Sequence, residues 1–134
     1  MKKEEILSKV KALNLPEKSY VVFGSCPLAL AGLREANDID LLVSDETFKL
    51  LKSCGWKQIQ KGLNDNPLVH DVFEAHKNWN FSSYSPTLEH LLKSPTVIDG
   101  IPFASLEEVR KWKASSRRPK DIVDIELIAG FWEK

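Results

Sequence analysis

An excess of either charge is missing: 19 lysines and arginines stand against 19 aspartates and glutamates. A general grip on a long nucleic acid relies on a basic excess, so no such partner is expected. Cysteine is scarce, with only Cys26 and Cys54, too few for a disulfide framework. They read as reduced thiols in a reducing cytosol, which predicts a cytoplasmic protein. His70, His76 and His90 are scattered, and no Cys/His group has zinc-finger spacing. The opening Met1-Lys2-Lys3-Glu4-Glu5 leads into no long apolar run, so neither a signal peptide nor a membrane span is predicted. Repeats, low-complexity tracts and linkers are absent too. What remains is globular material: 134 residues, 43% apolar and 9% aromatic, read as one domain over residues 1–134.

Strand and helix patterns interleave along it. Ile6, Val10 and Leu13 recur at helical spacing over residues 3–14, with Pro16 closing that helix. Tyr20-Val21-Val22-Phe23 reads as a buried strand ended by Gly24-Ser25, and Pro27 suits the first turn of a short helix reaching Leu33. Asp38 to Val43 is a second strand, after which Ser44 or Asp45 caps a helix that Gly55 stops. A third strand begins near Trp56, a polar loop covers residues 62–67, and Leu68 to His76 reads as a single fourth strand. Pro86-Thr87 opens a short helix through Leu92, and Asp99-Gly100 supplies the positive φ angles of a tight hairpin. Ser105-Leu106-Glu107-Glu108 is a capping box. A last helix from Lys120 is predicted to turn Ile122, Ile125 and Ile128 or Ala129 inward. The fold class is therefore α/β or α+β, a mixed sheet flanked by helices.

Chemistry concentrates between Tyr20 and Val43. A glycine at a strand end lets a ligand approach the backbone, and the start of a helix favours anions, although Gly-Ser after a strand is also an ordinary turn. Asp38 and Asp40 alternate with Ile39 and Leu41, so both carboxylates leave one face of a strand, with stems about 7 Å apart. Such a pair can converge on one or two hard cations, which two-metal enzymes hold about 4 Å apart. The opposite face, Ile39, Leu41 and Val43, anchors the strand in the core. The plainer account is a strand end with solvated acids.

Phe23-Gly24-Ser25, twelve further residues, then Asp38-Ile39-Asp40-Leu41 resembles the signature of the nucleotidyltransferase superfamily, the DNA polymerase β-like fold. It is most similar to small bacterial nucleotidyltransferase-like proteins. A second stretch, Asp99 to Glu108, Lys113, and Arg118-Pro119-Lys120-Asp121-Ile122-Val123-Asp124-Ile125, looks like that family's closing helices. The resemblance covers roughly residues 20–45 and 97–128. It implies transfer of a nucleoside monophosphate from an NTP such as ATP to a hydroxyl of a small molecule or a protein, releasing pyrophosphate. Gly24 and Ser25 would hold the triphosphate, and Asp38 and Asp40 would ligate magnesium in a two-ion site. Magnesium takes oxygen ligands, usually one or two carboxylates plus phosphates.

The family adds a third carboxylate on a later strand. Asp71, followed by Val72-Phe73, matches its Asp-apolar-aromatic text and is the preferred catalytic and metal residue, with Glu74 as the alternative. The two would point to opposite faces of one strand, so only one can meet Asp38 and Asp40. His70 and His76 are read as surface or packing residues. Lys111, Lys113, Arg117, Arg118 and Lys120 form the one basic concentration. It is either a solvated helix end or, through Lys113 or Lys120, a contact to nucleotide phosphates. Asp121 and Asp124 are assigned to the first turn of the last helix, and Trp56, Trp79, Trp112 and Trp132 to the core or its rim. Cys26-Pro27 stands where many minimal members carry Arg and a small residue. The helical acceptor-binding domain of larger relatives is expected to be missing. Acceptor recognition then falls to a homodimer, a helical partner protein or an exposed site. The competing reading is a non-catalytic, antitoxin-like regulatory module that uses the same fold to bind a partner.

Overall fold

The computed structural model describes residues 1–61, 65–78 and 84–132; Trp79 and part of the loop over residues 62–67 lie outside them. The chain order is α1 (Lys3–Leu13), β1 (Tyr20–Phe23), α2 (Cys26–Leu30), β2 (Ile39–Val43), α3 (Asp45–Ser53), β3 (Lys57–Gln58), β4 (Leu68–His70), β5 (Phe73–His76), α4 (Leu88–Leu91), β6 (Thr96–Ile98), β7 (Ile101–Phe103), α5 (Leu106–Ser116) and α6 (Pro119–Trp132). One seven-stranded sheet has the order β3-β4-β5-β2-β1-β7-β6. It is mixed: β1 runs parallel to β7 and β2 parallel to β5, while the remaining neighbours are antiparallel. Among the described residues no helix is long and apolar enough to cross a membrane.

Period-two alternation sorts the side chains of the central strands onto two faces. Val22, Ile39, Leu41 and Val43 pack with Ile6, Leu7 and Val10 of α1 and Phe48 and Leu51 of α3. Val21, Phe23 and Leu42 pack on the other side with Leu91 of α4, Val109 and Trp112 of α5 and Ile128 of α6. Local chemistry sets many of the boundaries. The hydroxyls of Ser44, Thr87 and Ser105 accept the amide hydrogens of Thr47, His90 and Glu108, so each helix starts where its cap predicts. Only that half of the Ser105 capping box is used, because the Glu108 carboxylate meets His90 at 2.8 Å instead. Asp99 and Gly100 take φ +53° and +79° between β6 and β7, as a type I′ hairpin requires.

Two expectations fail. The stretch from Leu68 to His76 is a hairpin and not one strand, because Asp71 adopts φ +53° and the chain reverses over Asp71-Val72. Aspartate tolerates that region better than most residues, so the turn forms without glycine. The first helix, Lys3–Leu13, lies where expected, and left-handed Asn14 caps it ahead of Pro16. In α6 the inward residues are Asp121, Asp124 and Ile128, while Ile122 and Val123 face outward and Ile125 is only partly covered.

The reason for that last inversion is ionic. Lys113 of α5 is buried, with its ammonium 3.4 Å from Asp121 and 2.9 Å from Asp124. Arg118 reaches both oxygens of Asp121, at 2.8 and 3.1 Å, and Asp121 also accepts the Arg118 amide and the Ser116 hydroxyl. Arg34, in the connection before β2, grips both oxygens of Asp124 at 2.9 and 3.0 Å. Asp121 and Asp124 thus do more than meet a helix dipole. They lock the α5–α6 corner to the segment that leads into β2.

Removing one member of such a buried set leaves uncompensated charge, which costs about 3–5 kcal/mol. Lys113→Met is therefore expected to lower unfolding free energy by about 3 kcal/mol in urea titrations. Burial works against the Asp121 carboxylate, but hydrogen bonds from Arg118 and Ser116 and the Lys113 charge outweigh it, holding its pKa down at about 2. A depressed folded-state pKa stabilises fully above the ordinary value of 3.8 and fades as pH falls through about 2. The urea midpoint should drop across that window in the wild type and drop less in Asp121→Asn.

Candidate active site

Strand β1 ends in Gly24-Ser25 beside the start of β2, because Phe23 pairs with Asp40 in the antiparallel register. Gly24 sits at φ +70°, and a Cβ there would collide with the Asp40 carboxylate. Glycine is needed twice, for the backbone angle and for the space the carboxylate occupies. Ser25 follows at the N-cap of α2, where its hydroxyl makes no capping bond to the helix. Asp38 is exposed just ahead of β2, so the predicted strand begins one residue late, and its carbonyl accepts the Cys26 thiol at 3.5 Å. Burial, followed by the charges of Asp40 and Asp38, pushes that thiol well up, so Cys26 is no nucleophile at neutral pH.

The parallel pairing of β2 with β5 sets Asp40 opposite Glu74 and Leu42 opposite His76. Asp40, Glu74 and His76 each offer a donor atom, and the three atoms lie within 4.8 Å of one another. Asp71, the preferred third acid, is elsewhere: it stands in the β4–β5 turn with its carboxylate 3.3 Å from Lys9 of α1. Glu74, the alternative, is the acid brought to Asp40. Asp38, Asp40, Glu74 and His76 share a polar cleft with Gly24, Ser25, Lys61, Asp65, Trp112, Lys113, Arg118 and Lys120. A larger groove of about 680 Å³ lies around Tyr20, at the other end of β1, and its lining holds no comparable group of donors.

The electrostatics are those of crowded like charges. Burial, then Asp38 and Glu74, raise the Asp40 pKa well above the carboxylate range. Burial also disfavours ionised Glu74, but hydrogen bonds from Lys61 (2.8 Å) and Asp40 outweigh it, leaving Glu74 below its ordinary value. The same contact raises Lys61. The hydrogen bond between Asp40 and Glu74 thus favours the neutral form of Asp40 and the ionised form of Glu74. Burial, opposed by Asp65 and Glu74, lowers His76 to about 4, so its imidazole is neutral.

Of the two predicted phosphate contacts, Lys120 lines the cleft exposed. Lys113 lines it too, with its charge already taken by Asp121 and Asp124. Sequence reasoning passed over Lys61 and Asp65, read His76 as a surface or packing residue, and named Arg118 only as part of the basic run. Arg118 is the informative case: it lies over the Trp112 ring, 5.3 Å from the centroid, held there by Asp121 and facing the cleft. The i, i+3 spacing of Arg118 and Asp121 was the available signal. Trp56 stacks on the exposed His70, which is a packing residue as expected.

A raised carboxyl pKa favours folding only below the ordinary value of 3.8, and that contribution is lost as pH rises through the folded-state pKa. Ionised Asp40 is thus a liability at neutral pH. Asp40→Asn should raise the melting temperature by a few degrees at pH 7 in metal-free buffer, roughly what a change near 1 kcal/mol produces, and by nothing near pH 3. Added divalent ions should raise the wild-type value alone.

No protein-family profile and no curated protein matches the sequence. Among solved structures, the chain is similar to the aminoglycoside nucleotidyltransferase ANT(2")-Ia, crystallised in complex with adenylyl-2"-tobramycin, with a TM-score of 0.55 and 16% identity. The match covers 95% of this chain and 85% of that one. At that identity the likeness is one of fold.

Proposed function

We propose that this chain is a divalent-metal-dependent nucleotidyltransferase that moves a nucleoside monophosphate from an NTP to an acceptor hydroxyl. The observation that carries the reading is the register of β2 on β5, which sets Glu74 beside Asp40 next to the side-chain-free Gly24. The donor set fits magnesium, since Asp38, Asp40 and Glu74 supply hard carboxylate oxygens, and the crowding of these charges that raises the Asp40 pKa favours a cation there. Bound there, the ion would neutralise triphosphate charge and polarise the α-phosphoryl group. Gly24, whose side-chain space the Asp40 carboxylate fills, sets Asp40 beside the triphosphate, and Ser25 offers a hydroxyl. Arg118 and Lys120 face the β- and γ-phosphates from the opposite wall, and Lys113 braces that wall. The acceptor oxygen forms a bond to the α-phosphorus, the bond to the bridging oxygen breaks, and pyrophosphate leaves. The hydroxyl proton passes to a carboxylate of the Asp38–Asp40–Glu74 set. The fold neighbour was crystallised with an adenylylated small molecule, which supports a small-molecule hydroxyl as the acceptor class.

One observation favours the alternative of a partner-binding regulatory module: Ile122, Val123, Phe131 and Trp132 of α6 are exposed. Calorimetry separates the two readings. Wild type should bind ATP or another NTP with magnesium, and Asp38→Ala/Asp40→Ala should lose about 10²–10³-fold in affinity or transfer. Equal, metal-independent behaviour of both proteins would remove the enzyme reading. With an acceptor in hand, pyrophosphate release should collapse in Glu74→Gln and persist in Asp71→Asn.

A further inference from the structure

A cation already sits among the acids of the cleft, and the chain itself supplies it. Lys61 lies in the connection after β3, where its amide donates to the Asp65 carbonyl at 2.8 Å and the Ile59 amide to that of Pro67 at 3.0 Å. These bonds extend the β3–β4 hairpin and fix the Lys61 backbone near its tip. From there the side chain reaches across to β5 and places Nζ 2.8 Å from Glu74 Oε1. Asp40 and Asp65 add their attraction to the same ammonium. The pair is partly open to solvent, with Lys61 45% and Glu74 15% exposed. Lys113 and Arg118 of the facing wall are bonded to the acids of α6 instead.

Glu74 thus serves Lys61 and Asp40 at once. A dication bonded to that carboxylate and an ammonium left in place would repel strongly at such short range. Binding the ion therefore means exchanging one cation for another. We propose that Lys61 is a built-in competitor of the divalent ion, holding Glu74 until the ion displaces it. This rests on the metal-dependent reading above but not on its nucleotide chemistry. A tethered ammonium is always close at hand, and a monovalent ion brings no more charge than it does, so the exchange selects for divalent ions. The strand order β3-β4-β5-β2-β1 sets Lys61 on the far side of Asp40 from Gly24. Once released it stays remote from Gly24 and Ser25, so it governs ion affinity and makes no contact to the triphosphate.

The test uses the untagged full chain without nucleotide, with free Mn²⁺ counted by EPR during titration. Lys61→Met should bind Mn²⁺ about fivefold more tightly than wild type, the size expected for a partly exposed ion pair. Lys61→Arg keeps the charge and should stay near the wild-type affinity. Lys57→Met, which removes an equal charge from exposed β3 outside the cleft, should leave the affinity unchanged. Lys61→Met should also melt below wild type in metal-free buffer and gain more from added ion. In ¹⁵N-lysine-labelled wild type, the Lys61 ammonium signal, assigned by its loss in Lys61→Arg, should shift on adding Mg²⁺. Equal or weaker Mn²⁺ binding by folded Lys61→Met, or a Lys61 signal unmoved by saturating Mg²⁺, would overturn the inference and leave the ion site standing. No Mn²⁺ binding by any of these proteins would remove the metal-dependent reading and the inference together. A Lys61 effect on Mn²⁺ without NTP binding would instead sink the transferase reading and keep the competitor.

Discussion

Everything at the cleft follows from one register: β2 lies parallel to β5 with Asp40 against Glu74, and β1 brings a residue without a side chain to the same point. Three carboxylates gather there, and the fold tolerates them by several small devices at once. Lys61 takes Glu74, the raised pKa of Asp40 favours its neutral form, and Cys26 remains a thiol. The strand itself is held by other means. Ile39, Leu41, Leu42 and Val43 are essentially fully buried, and each such side chain contributes about 1.5–3 kcal/mol. That burial anchors β2 although its mouth is electrostatically unfavourable. A site of this kind gives up stability in return for affinity toward positive charge.

A second set of charges shapes the opposite wall, and its balance is different. Lys113, Asp121 and Asp124 are buried and matched, with Arg118 and Arg34 completing the carboxylates from the rim. Arg34 and Asp124 are 90 residues apart in the chain, so their contact ties the approach to Asp38 to the last helix. Aligning α6 for these pairs leaves Ile122 and Val123 outward. The same alignment lets Asp121 hold Arg118 over Trp112 and toward the cleft. Matched ions set the geometry of the wall, and unmatched ones at β2 and β5 set its chemistry.

Local rules in the sequence determined a good deal. Alternation placed Asp40 on one face of β2 and Ile39, Leu41 and Val43 on the other. Side-chain caps at Ser44, Thr87 and Ser105 and the Asp99-Gly100 turn are likewise decided by neighbours a few residues away. Gly24 was legible as a special backbone position, although its second task, making room for Asp40, was not. Tertiary structure alone chose Glu74 over Asp71, because a two-residue reversal without glycine hides in His70-Asp71-Val72-Phe73 and divides one apparent strand into two. It alone brought His76, Asp65 and Lys61 to the acids, and it alone turned Asp121 and Asp124 inward. Caps and alternation are written in residues that touch along the chain. Strand register and ion pairing are settled between segments far apart in it, where the side chain that decides the matter is nowhere near in sequence.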